Sequence, residues 1–280
     1  MSEWRPSASI EHLQQRAGLL AQARAFFAQR QVVEVQTPVL ASHSVTEPDV
    51  QSVQVPGYGY LQTSPEYHIK RLLAAGMPSC YQLGPAFRHG EQGRLHNPEF
   101  TMLEWYRLGF DHHQLMHEVA DLVDLMLGPK PYQRLSYADL VGDAKERPRG
   151  ALDLAFAEAC EGLTPGRFFI TDYPADQAAL ARINPDGQTA ARFELVIDGV
   201  EIANGYWELQ DPEEHRQRFA TDAEVRQQRD LPRMKVDEAF LAALTHGMPA
   251  CAGVAVGFDR LVMLAVGASD LSQVLAFRGA

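Results

Sequence analysis

The chain has 280 residues, 46% of them hydrophobic, with a formal net charge of −11 and a sequence pI of about 5.4. That acidity excludes a surface that grips phosphate backbones by bulk electrostatics. No apolar run approaches the roughly 20 residues of a membrane span, and the N-terminus carries charges within an amphipathic pattern rather than a signal core, so a cytosolic protein is expected.

Along the chain, Ile10, Leu13, Ala17, Leu20 and Phe27 recur at helical spacing and predict an amphipathic helix over 9–29. Ser64 as N-cap, Pro65 at the first helical position and Gly76 past the end delimit a second helix bearing Ile69, Leu72 and Leu73. Glu66 falls in its first turn, where the helix dipole alone justifies a carboxylate and a ligand-binding role is the other reading. Leu115, Val119, Leu122 and Met126 mark a third helix, and Asp211 followed by Pro212 opens another. Strands are expected at 80–84, 99–106, 168–172, 192–198, 200–209 and 251–256, mostly in hairpin order. Residues 128–165, with Pro129, Pro131, Pro148 and Pro165, read as an insertion or surface excursion. With no linker, repeat or low-complexity tract, the expectation is one α+β domain over 1–280, an antiparallel sheet with helices packed beside it. Three cysteines, Cys80, Cys160 and Cys251, lack metal spacing and cannot all pair, which predicts reduced thiols.

Three segments carry the chemistry. In the first, Phe87 to Tyr106, Gly90 and Gly93 mark a loop, and the strand after Pro98 puts Phe100, Met102, Glu104 and Tyr106 on one face. A flat aromatic followed by a carboxylate and a phenol can stack a base and capture an ammonium. It can equally be an amphipathic strand with a core Phe, just as His96 can be a satisfied core histidine.

In the second, Arg192 to Leu209, Asp198–Gly199 between β-branched runs predicts a hairpin with a type I′ turn. Glu194 and Glu201 lie nearly symmetrically about that turn, so pairing is expected to bring their carboxylates close across the strands, suited to Mg²⁺ or simply flanking an exposed turn. Asn204 and Glu208 share parity with each other but not with Glu201. A common pocket therefore requires a bulge, expected at Gly205. The third segment, Cys251 to Leu264, runs from a small-residue strand through Gly257 into a helix carrying Arg260, and glycine there permits close backbone approach. Arg260 can reach a phosphate, with Arg88 as a second clamp, or Asp259–Arg260 can form a local ion pair.

These segments resemble motifs 2 and 3 and the intervening metal-binding hairpin of class II aminoacyl-tRNA synthetases of the lysyl type. The first helix with Val35-Gln36-Thr37-Pro38 resembles motif 1, and Thr63-Ser64-Pro65-Glu66-Tyr67 the amino-acid-binding signature. Pro6 to Ile10 and the block His96 to Tyr106 are closer still to the lysyl-synthetase paralogues that attach (R)-β-lysine to a lysine of translation elongation factor P. The resemblance implies adenylation with ATP and Mg²⁺, then transfer to that protein acceptor rather than to tRNA, with no N-terminal OB-fold anticodon domain expected. It implies a homodimer built on motif 1. Arg88 and Arg260 would be catalytic. Arg88, Glu91, His96, Asn97, Phe100, Glu201, Gly257 and Arg260 would meet ATP. Glu194 and Glu201 would hold the metal, and Ser64, Glu66, Glu104, Tyr106, Asn204, Glu208 and Ala255 the amino acid.

Two positions depart from the lysyl pattern: Gly90 stands where motif 2 has Glu, with Glu91 one residue on, and Ala255 stands where Gly is usual, as in the paralogues. Other readings are an idle paralogue that senses ATP or amino acid, and a stand-alone enzyme acting on tRNA.

Overall fold

The structure is a computed structural model that describes residues 4–142 and 149–278. Helix α1 (Ile10–Gln29) begins after Ser9, whose extended backbone lets its hydroxyl accept the His12 amide at 3.1 Å. Short strands β1 (Val33–Glu34), β2 (Leu40–Ala41), β3 (Gln54–Val55) and β4 (Gly59–Leu61) precede α2 (Glu66–Ala74). Then come β5 (Cys80–Phe87), β6 (Glu99–Leu108), α3 (His112–Leu127), β7 (Gln133–Ser136), α4 (Tyr137–Val141) and α5 (Arg149–Glu161). Strands β8 (Arg167–Pro174), β9 (Thr189–Ile197) and β10 (Val200–Trp207) lead to α6 (Pro212–Gln228), α7 (Glu238–Gly247), β11 (Cys251–Gly257) and α8 (Phe258–Ala265). The chain divides into two compact units, one of Met1–Trp105, Gln210–Pro249 and Phe258–Ala280, the other of Tyr106–Leu209 and Ala250–Gly257.

In the first unit, β1 runs parallel to β5 and β6 lies on the other side of β5. Helix α1 covers this sheet through Phe27, whose ring stacks on Tyr81 at 4.3 Å and meets Trp105 edge-on at 5.2 Å. All three rings are buried, and each large apolar side chain so placed stabilises the fold by about 1.5–3 kcal/mol. Strands β2, β4 and β3 form a separate small sheet. Gly59 is required there, because a Cβ at its φ of 130° would stand 2.2 Å from the Ala41 carbonyl oxygen. Helix α2 packs on α7 through Tyr67, stacked on Phe240 at 4.5 Å.

The second unit carries strands in the order β11-β10-β9-β8-β7, antiparallel except for β7, which runs parallel to β8. Asp198 and Gly199 have φ of 49° and 78°, the two positive values a type I′ turn requires. Tyr137, Val141 and Leu152 of α4 and α5 pack on one face with Ile170 and Val196. The other face holds Phe169 and Phe193, ring to ring at 5.8 Å, and Tyr132, which reaches Phe169 and donates to the Ala120 carbonyl of α3.

The expected α+β class stands, and the six expected strands and five helices are present. Four details differ. The sheets are mixed, with parallel pairs at β1–β5 and β7–β8. The Pro-rich stretch at 128–165 is an edge strand and two helices contributing to the second unit's core, although Pro148 lies outside the described residues. Pro65 sits at the N-cap of α2 rather than one residue later, and the Ser64 hydroxyl accepts the Glu66 amide at 3.0 Å. The bulge in β10 falls between Glu201 and Ala203, not at Gly205. Gly205 serves close packing instead, since a Cβ there would stand 2.4 Å from the Phe193 ring.

Candidate active site

In the first unit, the loop between β5 and β6 is pinned at both ends. The Arg88 amide donates to the Pro98 carbonyl at 2.9 Å, and the buried Asn97 amide donates to the Glu99 carbonyl at 2.6 Å. The Arg88 guanidinium lies 5.2 Å from the centre of the Phe100 ring and 3.5 Å from Glu91. Its Nε is buried and donates to no described residue. Arg260, in the first turn of α8, donates through Nε to the Leu95 carbonyl at 3.1 Å and faces His96 Nε2 at 2.8 Å. His96 is therefore exposed beside a guanidinium and is not the core histidine of the alternative reading.

Asp259 does not form the local pair with Arg260. Its buried carboxylate meets Arg16 of α1 at 2.6 Å and accepts the Thr101 amide at 2.7 Å, while Arg16 also donates to the Thr101 hydroxyl at 2.8 Å. This network ties α1, β6 and α8 together next to both Phe100 and Arg260. On the same face of β6 as Phe100, Glu104 is 2% exposed and accepts the Ser64 hydroxyl at 2.7 Å. Glu66 accepts from the fully buried Lys70 ammonium at 2.6 Å.

In the second unit, strand register sorts the remaining candidates. Glu201 pairs with Val196, and after the bulge Asn204 pairs with Glu194 and with Ala255. Glu194 and Glu201 thus lie diagonally on one face rather than directly opposite, because the two-residue turn sets Glu201 against Val196; beyond Glu201 the extra residue, Ile202, slides β10 by one position. That same slip brings Glu201 and Asn204 onto a single face. Ile170, Glu194, Asn204 and Ala255 form one row across four strands.

Glu194 pairs with Arg192 at 2.6 Å. Burial pushes its carboxyl up to about 7, with Arg192 opposing and the charge of Glu201 adding to the rise. Burial likewise pushes the Cys160 thiol up to about 12, with Glu194 and Glu201 adding to the rise. The Asn204 Oδ1 is buried and accepts from no described residue.

One position further along, Glu208 and Tyr106 are buried at 1% and 2% exposure, and Gly253 makes room for both. A Cβ on Gly253 would stand 2.3 Å from the Tyr106 ring and 2.5 Å from a Glu208 carboxylate oxygen. Gly257 ends β11 directly before α8. Among the described residues no group of three or more His, Cys, Asp or Glu side chains is placed to hold a metal, and the three cysteines are free. No helix among the described residues is long and apolar enough to cross a membrane.

Sequence reading missed Lys70, Arg192 and Gly253, and offered Asp259 a pair with Arg260 only as one alternative. The Glu66–Lys70 spacing of four was the available signal for the first, and the shared strand parity of Arg192 and Glu194 for the second. Asp259 meets a partner far away in sequence, which no local pattern announces.

A mixed α+β fold with an arginine-bearing hairpin, a carboxylate hairpin and a small-residue strand entering an arginine helix defines a class II synthetase catalytic domain. The family model for class II tRNA synthetases (D, K and N) matches residues 2–279, and the chain belongs to that family. At 43% identity, over 99% of this chain and 98% of the relative, it is similar to the elongation factor P–(R)-β-lysine ligase of Vibrio vulnificus strain YJ016. The proteins of the same name from Photorhabdus laumondii and Yersinia enterocolitica are 44% and 43% identical, each over 99% of this chain and 97% of the relative.

Proposed function

We propose that this chain is an AMP-forming ligase that uses ATP to activate (R)-β-lysine as an adenylate and passes it to a lysine side chain of elongation factor P. The observation that carries the reading is the 43–44% identity, end to end, with proteins named for that reaction. The site chemistry supports it. In the first half-reaction the amino-acid carboxylate displaces pyrophosphate from the α-phosphorus, and negative charge grows on phosphoryl oxygens. Arg88 and Arg260 are assigned to those oxygens, and Phe100 to the adenine ring.

Glu194 and Glu201 fit a magnesium ion, because two like charges on one sheet face raise each other's cost and a hard cation relieves it. Magnesium, when bound, supplies charge neutralisation to the phosphates; the protein offers it only two carboxylates, leaving other positions to phosphate and water. Glu104, Glu208, Tyr106 and the open Asn204 oxygen are assigned to the ammonium groups of the amino acid. Buried carboxylates favour a charged amine over a neutral side chain, so they suit a lysine-type substrate. Ala255, in the row with Asn204, narrows the pocket floor by one methyl and is assigned to the choice of a β-amino acid, a discrimination of about 1–3 kcal/mol. In the second half-reaction the acceptor's amine attacks the anhydride carbonyl, AMP leaves, and the amine gives up a proton. No covalent enzyme intermediate is required. A cytosolic homodimer with α1 at its interface completes the proposal.

ATP–pyrophosphate exchange with (R)-β-lysine and α-lysine tests the substrate. A preference for (R)-β-lysine is expected, and a clear preference for α-lysine contradicts it.

A further inference from the structure

Lys70 stands apart among the cations of the first unit. It is 0% exposed on a helix whose other buried residues, Tyr67, Ile69, Leu73 and Ala74, are hydrophobic. Burying a lysine ammonium costs several kcal/mol unless a carboxylate meets it. Glu66, one helical turn earlier, meets it at 2.6 Å through Oε1 and remains 16% exposed itself. Lys70 engages Oε1 of the two Glu66 carboxylate oxygens. The backbone amide of Glu66 is held in turn by Ser64, whose hydroxyl donates to Glu104. A flexible three-torsion carboxylate is thereby fixed from both ends: its amide by Ser64, its Oε1 by a cation that has no solvent to escape to.

We propose that Lys70 is a positioning residue for amino-acid recognition, locking the Glu66 carboxylate so that Oε2 alone faces the substrate ammonium. The inference rests on the proposed reading of Glu66 as an ammonium acceptor.

The test is ATP–pyrophosphate exchange on the full chain with E66Q, K70M and the E66Q/K70M double variant, reading KM for amino acid and for ATP separately. Both single variants are expected to raise the amino-acid KM about tenfold and leave the ATP KM within about twofold. The double variant is expected to be no worse than E66Q in amino-acid KM, because the proposed effect of Lys70 on the substrate passes through Glu66. An unchanged amino-acid KM in K70M, an equal rise in both KM values, or effects that add in the double variant overturns the proposal. Should K70M fail to fold, K70Q, which keeps a donor for Glu66 without a buried charge, is expected to raise the amino-acid KM by less than E66Q does, and no rise overturns the proposal equally. If E66Q raises that KM and the Lys70 variants do not, Lys70 alone is misassigned. If E66Q has no effect, the reading of Glu66 falls and takes Lys70 with it.

Discussion

The two units differ in the chemistry of their candidate groups. In the first, the candidate cations are half-exposed, Arg88 beside Phe100 and Glu91 and Arg260 beside His96, each already engaged by a neighbour that holds its direction, and the carboxylates Glu66 and Glu104 are held by Lys70 and Ser64. In the second the candidate groups are acceptors and buried: Glu208, Glu194 and the open Asn204 oxygen, on a face that a one-residue bulge assembled. Anions suit the cations, and ammonium groups or metal ions the acceptors. The proposed division of labour between nucleotide and amino acid follows the charge of the groups, with Glu66 and Glu104 of the first unit counted among the acceptors.

Substitutions can break that contrast, beginning with the largest effect. Arg260→Ala is expected to lower exchange turnover by about 10³-fold, the cost of losing a preorganised charge at developing phosphoryl charge, measured as steady-state exchange rate. Asp259→Asn leaves Arg16 without its buried counter-charge and is expected to cost about 3 kcal/mol in urea unfolding, with α1, β6 and α8 losing their common anchor. Glu208→Gln is expected to raise the amino-acid KM by about 10²-fold while sparing the ATP KM, and equal changes in both would blur the division between units.

The smallest effect concerns pH. Burial lowers His112 from 6.5 to about 4, with the neighbouring His113 adding to the drop. A histidine held neutral in the folded state contributes stability that is complete above pH 6.5 and drains as pH falls toward 4. His112→Asn is therefore expected to gain on the native protein by about 2 kcal/mol between roughly pH 7.5 and pH 5, read by denaturant unfolding at each pH.

The long elements were legible because their periodicity is long enough to read. Leu115, Val119, Leu122 and Met126 trace α3, and the alternation after Pro98 traces β6. Strands β1 to β4, of two or three residues, carry no period at all. The prolines near β7, α4 and α5 hid a core that Tyr137 and Leu152 supply. At the candidate site, residue types at Arg88, Arg260, Glu194 and Glu208 pointed to the chemistry. Register did not follow, since nothing in Glu201-Ile202-Ala203 marks Ile202 as the extra residue. Buried partners were equally silent: Lys70 and Arg16 look like surface cations until the fold encloses them.

The central claim is that the activated amino acid goes to a protein. Intact-mass analysis of elongation factor P after incubation with this protein, ATP, Mg²⁺ and (R)-β-lysine, with tRNA supplied in parallel, tests it most directly. The account predicts a gain of one β-lysyl group on the factor and uncharged tRNA. Charged tRNA with an unmodified factor would contradict it.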